Sequence, residues 1–87
     1  MYIHLGNNVM LPTDEIIGIF DLDNTSVSKR TRDFLKKAEK QKKVITVSYD
    51  LPRSFVLAGK KRNDSRIYIS QISSSTLLKR TGYIDSL

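Results

Sequence analysis

The stretch TSVSKRTRDFLKKAEKQKK, residues 25–43, decides how the rest of the chain is read, because it holds the one long helical period and nearly all of the unbalanced charge. It carries eight basic residues against two acidic ones, out of fifteen and nine in the whole chain, so the formal +6 sits entirely here. At about 100° per residue, Val27, Thr31, Phe34, Leu35 and Ala38 fall in one stripe while Lys29, Arg32, Lys36, Lys40 and Lys43 gather opposite. One face can pack against a sheet and the other stays wet. Asp23, Asn24, Thr25 and Ser26 offer side-chain oxygens to the first N–H groups of such a helix, and the lysines at its far end suit the negative pole.

A basic helix face is either a solvated outer surface or a seat for a polyanion. The remaining composition bears on that choice. A chain of 87 residues makes one domain, residues 1–87, with a small core that gains from self-association. It has no cysteine, so disulfides, thiolate zinc sites and a cysteine nucleophile are all excluded. The opening MYIHLGNNVM lacks the basic flank and apolar run of a signal peptide, and no stretch reaches the roughly 20 apolar residues that span a bilayer. The expectation is a soluble, cytoplasmic protein. A sequence pI of 9.8 with the excess on one face favours nucleic acid, ahead of an anionic membrane surface. Membrane insertion ranks lower because the apolar side of the helix is small and the sheet needs it.

Taken in order, Tyr2-Ile3-His4-Leu5 alternates, and Gly6-Asn7-Asn8 offers residues tolerant of positive φ before Val9-Met10-Leu11, a tight hairpin. Pro12-Thr13-Asp14 closes its second strand. Ile16 to Phe20 reads as a strand largely buried on both faces, with Gly18 marking a bulge or a close backbone approach. Val44 to Tyr49 reads as a strand, Asp50-Leu51-Pro52-Arg53 as its turn, and Ser54 to Ala58 as the next strand. A basic loop from Gly59 to Ser65 then leads to the alternating strand Arg66 to Ser70. Ser73-Ser74-Ser75 caps a short helix through Arg80, with Gly82 placed to end it. The fold class is therefore α+β: a small, mostly antiparallel sheet of five or six strands with one principal helix and a short C-terminal helix.

Chemistry-bearing patterns are few. The run Ile16 to Thr25 resembles the first motif of haloacid dehalogenase-type phosphatases, an apolar strand followed by Asp-x-Asp-x-Thr. That resemblance would make Asp21 the nucleophile and Asp23 the general acid of a Mg-dependent phosphatase. The chemistry also needs a later lysine and a further acidic pair in a doubly wound core, for which 87 residues are too few. The alternative reading makes Asp21 to Ser26 a turn and helix cap. His4, the only histidine, reads as a half-buried strand residue. The four glycines are too scattered for a phosphate loop, and the serines have no positioned base. No catalytic residue, metal site, cofactor or small-molecule substrate is indicated. The tyrosines and phenylalanines fall mostly on strands, which argues against a stacking platform for single strands.

YIHLGNNVML at the start, the capped helix running into VITVSYD, the LPRSFVLA strand and the closing RIYISQISSSTLLKR together resemble the small extracellular-matrix regulator family of Firmicutes, RemA and RemB, on its RemB side. The resemblance covers nearly the whole chain and implies a DNA-binding transcriptional regulator of biofilm-matrix genes, a single RemA/RemB-like domain assembled, on the RemA side, into a ring of about seven or eight copies. It further implies that DNA lies along the basic outside of the ring and is met by arginines in the turn after the strand that follows the helix. Only Arg53 matches that pattern here. A second arginine of the pattern, just before the third strand, falls at Asp14 and Glu15 instead. We read the lost charge as replaced by the helix face (Lys29, Arg30, Arg32, Lys36, Lys40) and by Lys60, Lys61 and Arg62. Arg53 is the candidate base reader, since a bidentate arginine suits the O6 and N7 of guanine, against the alternative of a solvated turn residue.

The expected partners are duplex DNA and further copies of the chain on the nucleoid. The competing expectations are an oligomeric interaction module without DNA binding and, remotely, the phosphatase.

Overall fold

The structure, a computed structural model, describes residues 1–23, 28–60 and 64–82. The chain opens with β1 (Tyr2–Gly6) and β2 (Val9–Pro12), an antiparallel hairpin. Its two-residue turn sets Asn7 at φ 42° and Asn8 at φ 67°, the left-handed pair that matches the twist of a hairpin. Asn7 is tied down further, its Nδ2 donating to the carbonyl of Val47 at 3.0 Å. Asn8 has only the backbone requirement. Asn8→Val should cost about 1–2 kcal/mol, the penalty of a β-branched residue in this region, whereas Asn8→Gly should leave stability equal or slightly raised. Urea titration of the two variants checks the contrast.

After a 3₁₀ turn at Thr13–Glu15 come β3 (Ile16–Asp21), α1 (Lys29–Lys40), β4 (Val44–Thr46), β5 (Ser54–Ala58), β6 (Arg66–Ser70) and α2 (Ser74–Arg80). The second sheet has the order β3-β5-β6-β4, antiparallel except that β4 runs parallel to β6. The alternation of β5 builds a layered molecule. Val56 and Ala58 enter one core with Ile3, Leu5, Leu11, Tyr68 and Leu77, the hairpin and α2 lying on that side. Phe55 joins a second core with Ala38 and Ile67, against which Leu35 and Leu57 pack under α1. The α+β class with its six mostly antiparallel strands, one principal helix and short C-terminal helix is as the pattern implies.

Several boundaries differ from the sequence reading. The helix begins at Lys29, capped by Ser28, whose Oγ accepts from the Thr31 N–H at 3.2 Å; Asn24, Thr25, Ser26 and Val27 lie outside the described residues. β3 is an edge strand and not buried on both faces: Ile16 and Ile19 pack against the first core, while Ile17 is 61% exposed. The bulge at Gly18 is present, the β3–β5 register slipping between Ile16 and Gly18. Any Cβ there would meet the ring of Phe20 at 2.8 Å, and that ring stacks on Phe55 with centroids 4.8 Å apart. His4 is exposed, since the alternation of β1 sends Ile3 and Leu5 inward. β4 stops at Thr46, and residues 47–53 are not a hairpin turn. β6 lies between β4 and β5, so this segment passes across the end of β6, with Val47 N–H donating to the Ile69 carbonyl and Arg53 N–H to the Ser70 carbonyl, both at 2.9 Å.

Candidate nucleic-acid interface

α1 packs through Thr31, Leu35 and the buried Ala38, leaving Lys29, Arg30, Arg32, Lys36, Lys37 and Lys40 all exposed. Phe34, read from the sequence as part of the packing stripe, is 45% exposed on the flank. Lys29, Arg32, Lys36 and Lys40 recur at three- and four-residue spacing, so they form one stripe about 16 Å long at 1.5 Å of rise per residue. The first turn carries no acidic residue. Lys29, Arg30 and Arg32 thus sit at the positive pole of the helix, where cations are unfavourable. Among the described residues, no ion pair involves a side chain of α1. The first turn gains nothing for helix stability from charge placed this way, whereas Lys37 and Lys40 in the last turn suit the negative pole.

Arg53 ends the segment that crosses β6, and three constraints meet there. Its N–H is held by Ser70, its carbonyl accepts from the Leu22 N–H at 2.8 Å, and its guanidinium pairs with Asp23. Nε lies 3.2 and 3.1 Å from the two carboxylate oxygens of Asp23, and Nη2 lies 3.0 Å from Oδ2. The hydrogen bond and charge of Asp23, with a smaller contribution from Asp21, raise the pKa of Arg53 and hold it in its charged form. Asp23 is positioned in turn by Asp21, whose Oδ1 accepts the Asp23 N–H at 2.7 Å. The Asp-x-Asp pair is therefore engaged in a turn and an arginine clamp, 30 residues apart in sequence. Arg53 is neither buried nor freely solvated.

The two acids that stand where the family pattern expects an arginine separate. Asp14 is exposed, whereas Glu15 accepts from Arg66 Nη2 at 3.0 Å in a pair that is largely covered on the Glu15 side. Arg66 also donates from Nε to the Tyr68 hydroxyl, which with Glu15 raises its pKa. Of the loop cations, Lys60 is exposed after β5, and Lys61 and Arg62 lie outside the described residues. Among the described residues no cluster of three or more His, Cys, Asp or Glu could hold a metal, and no helix is long and apolar enough to cross a membrane.

Two exposed apolar residues beside Arg53 were not legible as a surface in the sequence. Tyr49 is 97% and Leu51 83% exposed. The sequence pattern puts Tyr49 at the end of a strand and Leu51 in the turn after it, and the crossing of β6 turns both outward. The segment is nevertheless anchored: Ser48 is buried, bonds to Gln71, and accepts from the Asp50 N–H at 3.1 Å.

Comparison with known proteins agrees on one family. A model described as RemA-like, extracellular matrix regulatory protein A-like, matches residues 2–81. The chain is also similar to the extracellular matrix regulatory protein B of Bacillus subtilis (strain 168), at 40% identity over 84 residues that cover 97% of this chain and 94% of the relative.

Proposed function

Because this chain belongs to the RemA-like family of extracellular matrix regulatory proteins, we propose that it regulates transcription by binding duplex DNA as a ring-like homo-oligomer of about seven or eight copies, with the outer stripe of α1 as its principal phosphate contact. The observation that carries this reading is the set of exposed cations on α1, without an ion-pair partner among the described residues and three of them set against the helix dipole. Arg53 supplies a contact to bases, and Lys60, Lys61 and Arg62 add positive charge from the loop. Asp21 and Asp23 then serve geometry, not phosphoryl transfer, and the protein acts on the nucleoid.

Each neutralised phosphate releases condensed counterions. A subunit with a few such contacts binds weakly, and an oligomer repeats them on one duplex at high effective concentration. The edge strand β3, with Ile17 and Phe20 exposed, and the Tyr49–Leu51 segment support contacts between copies. The same apolar surface favours the second reading, an oligomeric module that binds another protein and not DNA.

Fluorescence anisotropy of a labelled 30-bp duplex, run between about 50 and 200 mM salt, separates the two. Four phosphate contacts from the α1 stripe contribute a log-log slope of about −3.6 per engaged subunit, so that a single engaged subunit already gives a loss of roughly 100-fold over that range. An oligomer in solution with no duplex affinity at either salt would overturn the DNA reading in favour of the interaction module.

A further inference from the structure

The turn Asp21-Leu22-Asp23 is the one motif of the sequence that phosphate binding leaves without a task, and its contacts converge on a single side chain. We propose that Asp23 is a specificity-determining positioning residue, fixing the guanidinium of Arg53 so that its Nη1–Nη2 edge faces outward to read guanine. This rests on the reading above, that the protein binds duplex DNA and that Arg53 meets the bases.

The argument is one of edges. A guanidinium carries five N–H bonds, one on Nε and two on each Nη. Asp23 takes the Nε edge and the adjoining Nη2 hydrogen, with Nε at 3.2 and 3.1 Å and Nη2 at 3.0 Å. What remains is the fork made by the two Nη1 hydrogens and the outer Nη2 hydrogen, which has no hydrogen-bond partner among the described residues. A bidentate contact to the O6 and N7 of guanine uses such a fork. The backbone on either side is pinned as well, by Ser70 at the N–H of Arg53 and by Leu22 at its carbonyl. Asp21 completes the arrangement by accepting the Asp23 N–H at 2.7 Å. An arginine held this way gives up less further freedom on meeting a base, and it is biased away from the nearest phosphate.

A carboxylate on a DNA-binding surface also repels every phosphate near it. Asp23 therefore weakens the phosphate attraction common to all duplexes while raising the difference between them. That opposition of signs distinguishes positioning from a merely structural ion pair. A pair with side chains 50% and 38% exposed contributes little to folding, so removal of Asp23 should leave the protein folded.

The test uses the full chain and two labelled 30-bp duplexes of equal length, one of A·T pairs only and one with G·C pairs at alternate positions, titrated at the same salt. The native protein should prefer the G·C duplex by about tenfold, within the range of one bidentate contact. Asp23→Ala should bind the A·T duplex several-fold more tightly and the G·C duplex about as tightly as the native protein does, so that the preference falls below about twofold. Added net charge strengthens both complexes alike, so the ratio isolates orientation. Arg53→Lys, which keeps the charge and loses the fork, should also lose the preference, through a G·C complex about tenfold weaker than the native one. An Asp23→Ala ratio equal to the native one, or a native protein that binds both duplexes equally, overturns the role of Asp23 and leaves DNA binding standing. Failure of the native protein to bind either duplex removes the DNA reading itself.

Discussion

The variant carrying Lys29→Glu, Arg32→Glu, Lys36→Glu and Lys40→Glu should bind duplex DNA at least about 100-fold more weakly than the native protein at 50 mM salt, with a clearly shallower salt slope. The magnitude follows from the loss of four counterion-releasing contacts and from the repulsion that four carboxylates add on the same stripe. The substitutions reverse the sign of the net formal charge, +6 in the native chain. They leave the fold intact because α1 is held by Leu35 and Ala38, which are untouched. Glutamate is a good helix former, and at positions 29 and 32 it suits the positive pole that lysine and arginine oppose, which offsets the unfavourable carboxylate at position 40. Circular dichroism and the oligomer size should therefore match the native protein. A folded variant whose affinity stays within about threefold would move the contact surface to Arg53 and to the loop holding Lys60, Lys61 and Arg62.

The parts of this fold that depend on local chemistry were readable from the chain. The first hairpin declares itself through Asn7-Asn8, the bulge through Gly18, and α2 through Ser73, whose Oγ accepts the Thr76 N–H at 3.3 Å. What a linear reading could not supply is strand order. Nothing local in Val44 to Tyr49 says that its partner is the parallel β6, 23 residues on, instead of the β5 that follows it directly. The misplacement of the 47–53 segment comes from that, and so does the missed exposure of Tyr49 and Leu51. β3 was misjudged for a related reason: a run of Ile, Ile, Gly, Ile and Phe has the composition of a central strand, and only the sheet order makes it an edge.

The candidate site divides the same way. The α1 stripe is a property of periodicity and survives, with its start corrected by the Ser28 cap. Arg53 could be picked out from the family pattern, but not its environment. The pairing with Asp23 joins positions 30 residues apart, and in the sequence that aspartate looked like a helix cap or half of a phosphatase motif. The acids at 14 and 15 looked like a loss of positive footprint. Glu15 in fact pairs with Arg66, so its negative charge acts locally and cancels that one arginine.

Replacing Ser70 with valine should destabilise the protein by about 3 kcal/mol, the sum for two backbone groups left without partners in a buried site. Ser70 is fully buried at the end of β6. Its Oγ donates to the Leu5 carbonyl at 2.7 Å and accepts the Ile72 N–H at 3.0 Å. The hairpin register passes from His4 to Gly6, so Leu5 has no cross-strand partner of its own. The serine therefore substitutes for a missing ladder bond and ties the hairpin layer to the sheet beneath it. Its cross-strand neighbour Ser54, equally buried, does the same for the start of α2 by donating to the Ile72 carbonyl at 2.7 Å. Valine matches serine closely enough in shape to avoid a large cavity, which leaves the polar loss as the main term. In thermal unfolding at matched protein concentration, needed because an oligomer couples stability to concentration, the midpoint should fall by roughly 12–24 °C. Ser70→Thr keeps the hydroxyl and adds only a methyl group, so it should recover more than half of that loss. If Ser70→Val and Ser70→Thr destabilise equally, the site responds to volume and the hydrogen-bond account of how the two layers are joined fails.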